Sequence, residues 1–220
     1  MWGGKEPDYT EACDSMVRLQ IAARGIHDER VLAAMRIVPR HLFVPERTRR
    51  SAYQDGPLSI GQRQTISQPY IVALMTEALE LEGDEHVLEI GTGSGYQAAI
   101  LSLLASHVYT VERIPELAAK AEELFLCLGY DNISRYVGDG SLGWPKQAPY
   151  EAIIITAASP KVPEPLTDQL AEGGRLVAPV GGSWSQSLIR IRKKGGSLQR
   201  QHLTSVAFVP LIGQYGWPET

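Results

Sequence analysis

Apolar residues along this chain change their spacing twice, and each change marks a different kind of element. Through residues 10–38 they recur at helical intervals. Met16, Val17, Leu19 and Ala23 share one face, and Val31, Leu32, Met35 and Val38 share another. Gly25 is a stop between these two helices, Asp28-Glu29 opens the second, and Pro39 ends it. Residues 53–70 then show neither helical nor alternating order, and they lead into a helix carrying Ile71, Val72, Leu74, Met75, Ala78 and Leu79. From residue 86 onward short apolar runs alternate with helical patterns. Strands are predicted at 87–90, 107–111, 133–137 and 151–156, the last a near-continuous apolar run as a central parallel strand should be. Helices are predicted at 96–101, 115–128 and 166–170, and further strands at 175–180, 187–192 and 204–209, with a turn at 193–196. This alternation predicts an α/β fold of Rossmann-like type: a mostly parallel twisted sheet with helices on both faces and a helical N-terminal extension. No repeat or linker interrupts it. The reading is therefore one domain, 1–220, with N-terminal helices and a loop at about 10–82, a βα core at about 84–180 and C-terminal strands at about 181–213.

Composition narrows the function classes. At 220 residues, 44% hydrophobic and 21% charged, the chain reads as an ordinary soluble globule. A formal net charge of −4 argues against nucleic acid as the main partner. Cys13 and Cys127 offer neither a disulfide framework nor a zinc spacing, and the five histidines form no metal pattern. His86 and His107 each precede an apolar strand and read as edge or surface residues. The first eight residues lack a basic stretch followed by an apolar core, and no apolar run reaches the length of a membrane span. A cytoplasmic protein without membrane association is expected.

Candidate chemistry gathers at the strand ends. The run 87–90 stops at Gly91-Thr92-Gly93-Ser94-Gly95, and a helix opens at Tyr96. Strand, glycine loop and helix begin a nucleotide-binding βαβ unit, in which the chain turns sharply and bare backbone meets the ligand. The dinucleotide fingerprint G-x-G-x-x-G is not met, because position 96 is Tyr, and this weighs against a nicotinamide-dependent oxidoreductase. Glu112 ends the next strand 21 positions after Gly91, where such a unit places its ribose-binding acid. It is equally placed to sit beside the start of the helix at Pro115. Gly138-Asp139-Gly140 ends the third strand, and Asp139 suits either an adenine amino group or a local Asx turn. Ser67 stands where a helix N-cap would stand, with Pro69 in the first turn. As a rival class, a non-catalytic nucleotide-binding module would need the glycine loop and Glu112 but not the segment around Ser67.

Together these segments resemble a known family. Gln64-Thr65-Ile66-Ser67-Gln68-Pro69-Tyr70-Ile71-Val72-Ala73 is similar to the signature of protein-L-isoaspartate (D-aspartate) O-methyltransferases. So are Val38-Pro39-Arg40-His41-Leu42-Phe43-Val44-Pro45, the loop from Glu89 to Tyr96, and Val111-Glu112-Arg113-Ile114. The likeness continues through Gly138-Asp139-Gly140, Trp144-Pro145, the stretch 148–154, Thr156-Ala157-Ala158, Gly173-Gly174-Arg175-Leu176 and Phe208-Val209-Pro210-Leu211. It spans about residues 14–213; Arg63 departs from a glycine frequent in the family, and the tail 214–220 lies outside.

The resemblance implies a class I S-adenosyl-L-methionine-dependent methyltransferase fold. It also implies transfer of a methyl group to the free carboxylate of L-isoaspartyl residues in damaged peptides and proteins, giving an ester that collapses to a succinimide. Ser67 matches the family's active-site serine, and Thr65, Ile66, Gly91, Thr92, Gly93, Ser94, Gly95, Glu112, Asp139 and Gly140 form the implied cofactor-binding set. No metal is implied, and a monomer is expected. The proline-rich loop 157–163 lacks the Asn-Pro-Pro-Tyr or Asp-Pro-Pro-Tyr of amine-directed methyltransferases, which counts against a nucleobase-amine substrate. A different carboxylate or small-molecule acceptor is the alternative reading. A carboxylate acceptor is already ionised near neutral pH, so the chemistry asks for alignment and exclusion of water rather than a general base.

Overall fold

A computed structural model describes residues 8–219. The N-terminal stretch read above for a leader lies, up to residue 7, outside them. Helix α1 (Thr10–Ser15) runs on through a π-helical stretch, Met16–Ile21, and a 3₁₀ turn to Arg24 before Gly25 ends it with φ +95°. Helix α2 (Glu29–Ile37) starts at Asp28, whose side chain accepts from the Arg30 amide at 2.9 Å. Two 3₁₀ turns, Arg40–Phe43 and Glu46–Ser51, follow.

The segment expected to be irregular contains a small antiparallel hairpin, β1 (Leu58–Gly61) and β2 (Gln64–Ile66). Its turn residues Gln62 and Arg63 have φ of 51° and 57°, as a two-residue turn of the primed type demands. Arg63 thus holds a left-handed backbone that usually selects glycine. Helix α3 (Pro69–Ala78) comes next. Its cap position is Gln68, in extended backbone and without a side-chain cap bond, so the expectation of Ser67 as N-cap is corrected. The proline after it keeps Gln68 out of helical backbone.

The core alternates: β3 (His86–Ile90), α4 (Tyr96–Ser102), β4 (His107–Glu112), α5 (Pro115–Leu128), β5 (Ile133–Val137), β6 (Tyr150–Ile155), α6 (Glu164–Asp168), β7 (Leu170–Gly181), β8 (Gln186–Lys194) and β9 (Ser197–Val206). These strands form one sheet in the order β5-β4-β3-β6-β7-β8-β9, parallel from β5 to β7 and antiparallel thereafter. The last strand lies earlier than 204–209. Beyond Val206 the ladder ends, and the amide of Phe208 donates instead to the Gln186 side chain at 2.8 Å.

Two apolar layers explain the unbroken hydrophobic runs of the central strands. Val87, Ala152, Ile154 and Val177 pack with the N-terminal helices, α3, α4 and α5. Their alternate neighbours Leu88, Ile90, Ile153, Ile155, Leu176 and Ala178 pack on the opposite face with Leu166 of α6 and Leu211. A strand buried on both faces has no polar side to show. The chain runs outward from β3 to β5 and returns to lay β6 on the other side of β3. The carboxyl ends of β3 and β6 therefore flank the switch point where open α/β sheets bind ligands. Among the described residues no helix is long and apolar enough to cross a membrane.

Candidate active site

A cleft opens at that switch point. Its floor comes from the ends of four strands: Ile90 of β3 and Gly91 after it, Val111 and Glu112 of β4, Gly140 beyond β5, and Thr156 and Ala157 after β6. Gln64 and Thr65 of β2 close one side, and residues 209–212 close another.

The glycine loop takes its shape from positive φ at Gly91 (+96°), Gly93 (+53°) and Gly95 (+87°). At Gly91 a side chain is excluded twice over, since a Cβ there would lie 2.5 Å from the Thr156 hydroxyl. That hydroxyl donates to the Gly91 and Ile90 carbonyls at 2.7 and 3.0 Å, while the Thr156 amide donates to the Ile90 carbonyl at 2.9 Å. The end of β6 thus locks the first turn of the loop. Glu112, only 6% exposed, locks the rest. One carboxylate oxygen accepts from the Gly93 amide and the other from the Ile114 amide, each at 2.9 Å. Glu112 therefore lines the cleft and also braces the entry to α5.

Beneath the loop, buried Glu89 is bonded to the Thr110 hydroxyl at 2.5 Å, and Thr110 in turn to Thr92 at 2.6 Å. Burial pushes the Glu89 carboxyl up to about 8; Thr110 opposes this, and the nearby Glu112 charge adds to it. Glu89 is therefore a neutral acid at pH 7, with its second oxygen unpartnered among the described residues.

Five members of the expected cofactor set do not reach the cleft wall. Ile66 and Thr92 are buried beneath it, each 3% exposed. The Ser94 hydroxyl turns back to accept from the Tyr96 amide at 3.3 Å, and Gly95 caps α4 against Phe125. Asp139 makes the Asx turn, accepting from the Ser141 amide and hydroxyl at 2.9 and 2.7 Å, and its other oxygen holds the Gln214 amide at 2.7 Å. Thr65, Gly91, Gly93, Glu112 and Gly140 do line the cleft. Sequence reasoning left Thr156, Arg113, Ile114 and residues 209–212 out of the set. For Thr156 the signal was present, as the polar end of an apolar strand.

Asp139 also helps to hold down the C-terminal segment that follows the cleft wall at 209–212. The Tyr215 amide donates to the Ser141 hydroxyl at 3.0 Å and the Trp217 indole to the Ala158 carbonyl at 3.1 Å, while Arg113 pairs with Glu219.

Ser67 lies in a second depression, a groove lined by Pro57, Thr65, Gln68, Ile71, Thr156, Trp184 and residues 205–209. Among the described residues its hydroxyl has no hydrogen-bond partner. Its backbone is held tightly. Arg40, fully buried, donates to the Ser67 carbonyl at 2.6 Å and to the Ala52 carbonyl at 2.7 Å, so one guanidinium pins both ends of the segment that carries the hairpin. Arg40 also lies 4.9 Å from the ring centroid of Tyr96, the first residue of α4. Thr65, Thr156 and Val209 line both cavities, so the groove runs into the cleft beside Ser67.

Comparison with known proteins bears on this arrangement. The family model for protein-L-isoaspartate(D-aspartate) O-methyltransferase matches residues 11–216. Protein-L-isoaspartate O-methyltransferase 1 of Syntrophobacter fumaroxidans is 55% identical over 210 residues, 96% of this chain and 98% of that protein. The protein-L-isoaspartate O-methyltransferase of Methanoculleus marisnigri is 58% identical over 204 residues, 93% of each. Among solved structures, a protein-L-isoaspartate O-methyltransferase at 29% identity gives a TM-score of 0.83 over 92% of this chain and 67% of its own. One from Plasmodium falciparum, in complex with S-adenosyl-L-homocysteine, gives 0.79 at 25% identity over 91% and 98%.

Proposed function

The chain belongs to the protein-L-isoaspartate (D-aspartate) O-methyltransferase family, and from that premise we propose how its own residues divide the work. The protein moves a methyl group from S-adenosyl-L-methionine to the free carboxylate of L-isoaspartyl residues in damaged proteins, and the ester formed collapses to a succinimide.

The strand-end cleft fits the cofactor in chemistry. It offers bare backbone at Gly91, Gly93 and Gly140, a carboxylate at Glu112 able to accept from ribose hydroxyls, and apolar walls at Ile90, Val111, Ile114 and Leu211. Bound there, the cofactor supplies a methyl on a sulfonium whose departure leaves a neutral thioether. No proton has to be delivered. The acceptor carboxylate is ionised near neutral pH, since unperturbed carboxylic acids titrate near 4, and no proton has to be removed.

What remains for the protein is placement. Thr156 and Glu112 hold the loop rigid from two sides, and residues 209–212 with Gln64 and Thr65 wall the cleft. Ser67 orients the incoming carboxylate by donating its free hydroxyl, and attacks nothing. The observation that carries this reading is the meeting of groove and cleft at Thr65, Thr156 and Val209, with an unengaged serine hydroxyl beside them. Unpaired Cys13 and Cys127 support a cytoplasmic setting.

Single-turnover methyl transfer to matched isoaspartyl and aspartyl peptides tests the proposal, using wild type, Ser67→Ala and Ser67→Gly. Because Gln68 holds the cap position, neither variant should lose capping energy, and both should melt close to wild type. Misalignment should lower kcat about 10–100-fold, almost equally between pH 6 and 9. Wild-type rates in both folded variants would remove Ser67 from the reaction.

A further inference from the structure

We propose that Trp184 is the residue through which this enzyme selects the side chains flanking an isoaspartyl site, favouring aromatic and aliphatic neighbours. The proposal rests on the substrate peptide occupying the groove that contains Ser67.

Trp184 is 93% exposed, the most open of the large apolar side chains in the described structure, yet it lines that groove. Large aromatic side chains are enriched at binding interfaces and become anchors when a partner covers them, since they bring wide contact area at little entropic cost. The rest of the groove supports an apolar selection. Pro57, Ile71, Val206, Ala207, Phe208 and Val209 supply its walls, and its polar members, Thr65, Ser67, Gln68, Thr156, Ser185 and Ser205, carry no charge. Once the isoaspartyl carboxylate is directed to the cleft, the groove gives a neighbouring residue nothing to pair with electrostatically. It does give hydrocarbon to cover.

The loop that bears Trp184 is anchored to the groove's own wall. Between β7 and β8 the chain turns at Gly181, where φ is +152° and a Cβ would meet the Ser185 carbonyl at 2.9 Å. Buried Gln186 then donates to the Gly182 carbonyl at 2.6 Å and accepts from the Phe208 amide at 2.8 Å. One side chain thus ties the base of the loop to Phe208, which lines the same groove. The indole stays exposed at the end of a braced support, on the same groove as Ser67. That placement suits a contact with residues adjacent to the reacting one.

Steady-state methylation of short isoaspartyl peptides tests this, with the flanking positions set to Gly, Leu, Tyr or Asp and all else fixed. Wild type should prefer Tyr and Leu over Gly by roughly three- to tenfold in kcat/KM, the range expected of one aromatic contact. Trp184→Ala should bring that ratio to within about twofold of unity through KM, with kcat on the Tyr peptide retained, and Trp184→Phe should keep most of the preference. A Trp184→Ala variant that keeps the Tyr-over-Gly ratio would overturn the inference. So would an equal kcat loss on every peptide, which would mean that the loop shapes the site rather than reads the substrate. Failure of wild type to methylate any isoaspartyl peptide would instead overturn the reading on which it rests. A flat wild-type profile with good turnover would sink only the role of Trp184.

Discussion

Glu112→Gln is the sharpest single perturbation of the cofactor cleft. The native carboxylate is almost wholly buried and spends one oxygen on the Gly93 amide and the other on the Ile114 amide, both at 2.9 Å. Glutamine keeps the shape but replaces one of those oxygens by an NH2 group, so whichever way the amide turns, one backbone N–H faces a second donor. The loss of one hydrogen bond to a charged group is about 1.5–3 kcal/mol. It falls at once on the glycine loop and on the acceptor that the proposed function offers to the ribose. Cofactor affinity should therefore drop roughly 10- to 150-fold, at 1.4 kcal/mol per tenfold. The melting temperature should fall by several degrees, at about 2–4 °C per kcal/mol for a chain of this size. Titration calorimetry with S-adenosyl-L-methionine and with its demethylated product would read the first effect, and a melting curve the second. Glu112→Asp separates charge from reach: it keeps the charge but is one methylene too short to brace both amides, so it should bind as poorly as glutamine if bracing dominates. A folded Glu112→Gln variant with wild-type affinity would refute the reasoning, because no other observed contact of Glu112 would then account for its position.

Two further outcomes follow from neighbouring geometry. Gly91→Ala places a Cβ 2.5 Å from the Thr156 hydroxyl on a backbone at φ +96°, so it should lose both cofactor binding and stability, the backbone alone costing about 1–3 kcal/mol; titration and melting at wild-type levels would show that the loop can re-form around a side chain. Glu89→Gln tests the buried acid. Because the folded-state value is raised from 4.5 to about 8, the protonated form stabilises the fold below about pH 4.5, and that contribution is lost as pH rises toward 8. At about 1.4 kcal/mol per pH unit the ceiling is roughly 5 kcal/mol, and partial relaxation should leave about 1–3. The variant should therefore melt progressively higher than wild type between pH 5 and 8.5, and a difference that stays flat with pH would assign Glu89 a value near that of an exposed acid.

Local physics made much of this protein legible from its residues. The central strands announced themselves because burial on both faces leaves runs such as 151–156 without polar positions. The three glycines of the loop, Gly25 and Gly129 mark left-handed backbone, a property of single residues that needs no distant partner. The Asx turn of Asp139, which the sequence placed level with a ligand role, is local as well and is seen in its bonds to Ser141. The hairpin at 58–66 escaped because strands of four and three residues are too short to display alternation, and its turn uses Gln62 and Arg63 where glycine or asparagine would have signalled it. The capping role expected of Ser67 failed for a similar reason: a hydroxyl two residues before a proline looks like a cap, but the chain enters α3 at Gln68 while Arg40 holds the Ser67 carbonyl from 27 positions away.

The tertiary structure alone decided the rest. Thr156 stands 65 positions from Gly91, Trp184 is more than a hundred from Ser67, and residues 209–212 close a cleft that opens at residue 90. No periodicity or propensity acts over such separations. Strand order and register bring these groups together: placing β6 beside β3 sets the Thr156 hydroxyl against the loop, and the end of β9 at Val206 frees residues 207–212 to leave the sheet and line the site. The residues carry the chemistry, and sheet topology chooses which of them meet, because burying two apolar layers at once leaves the chain few ways to order its strands.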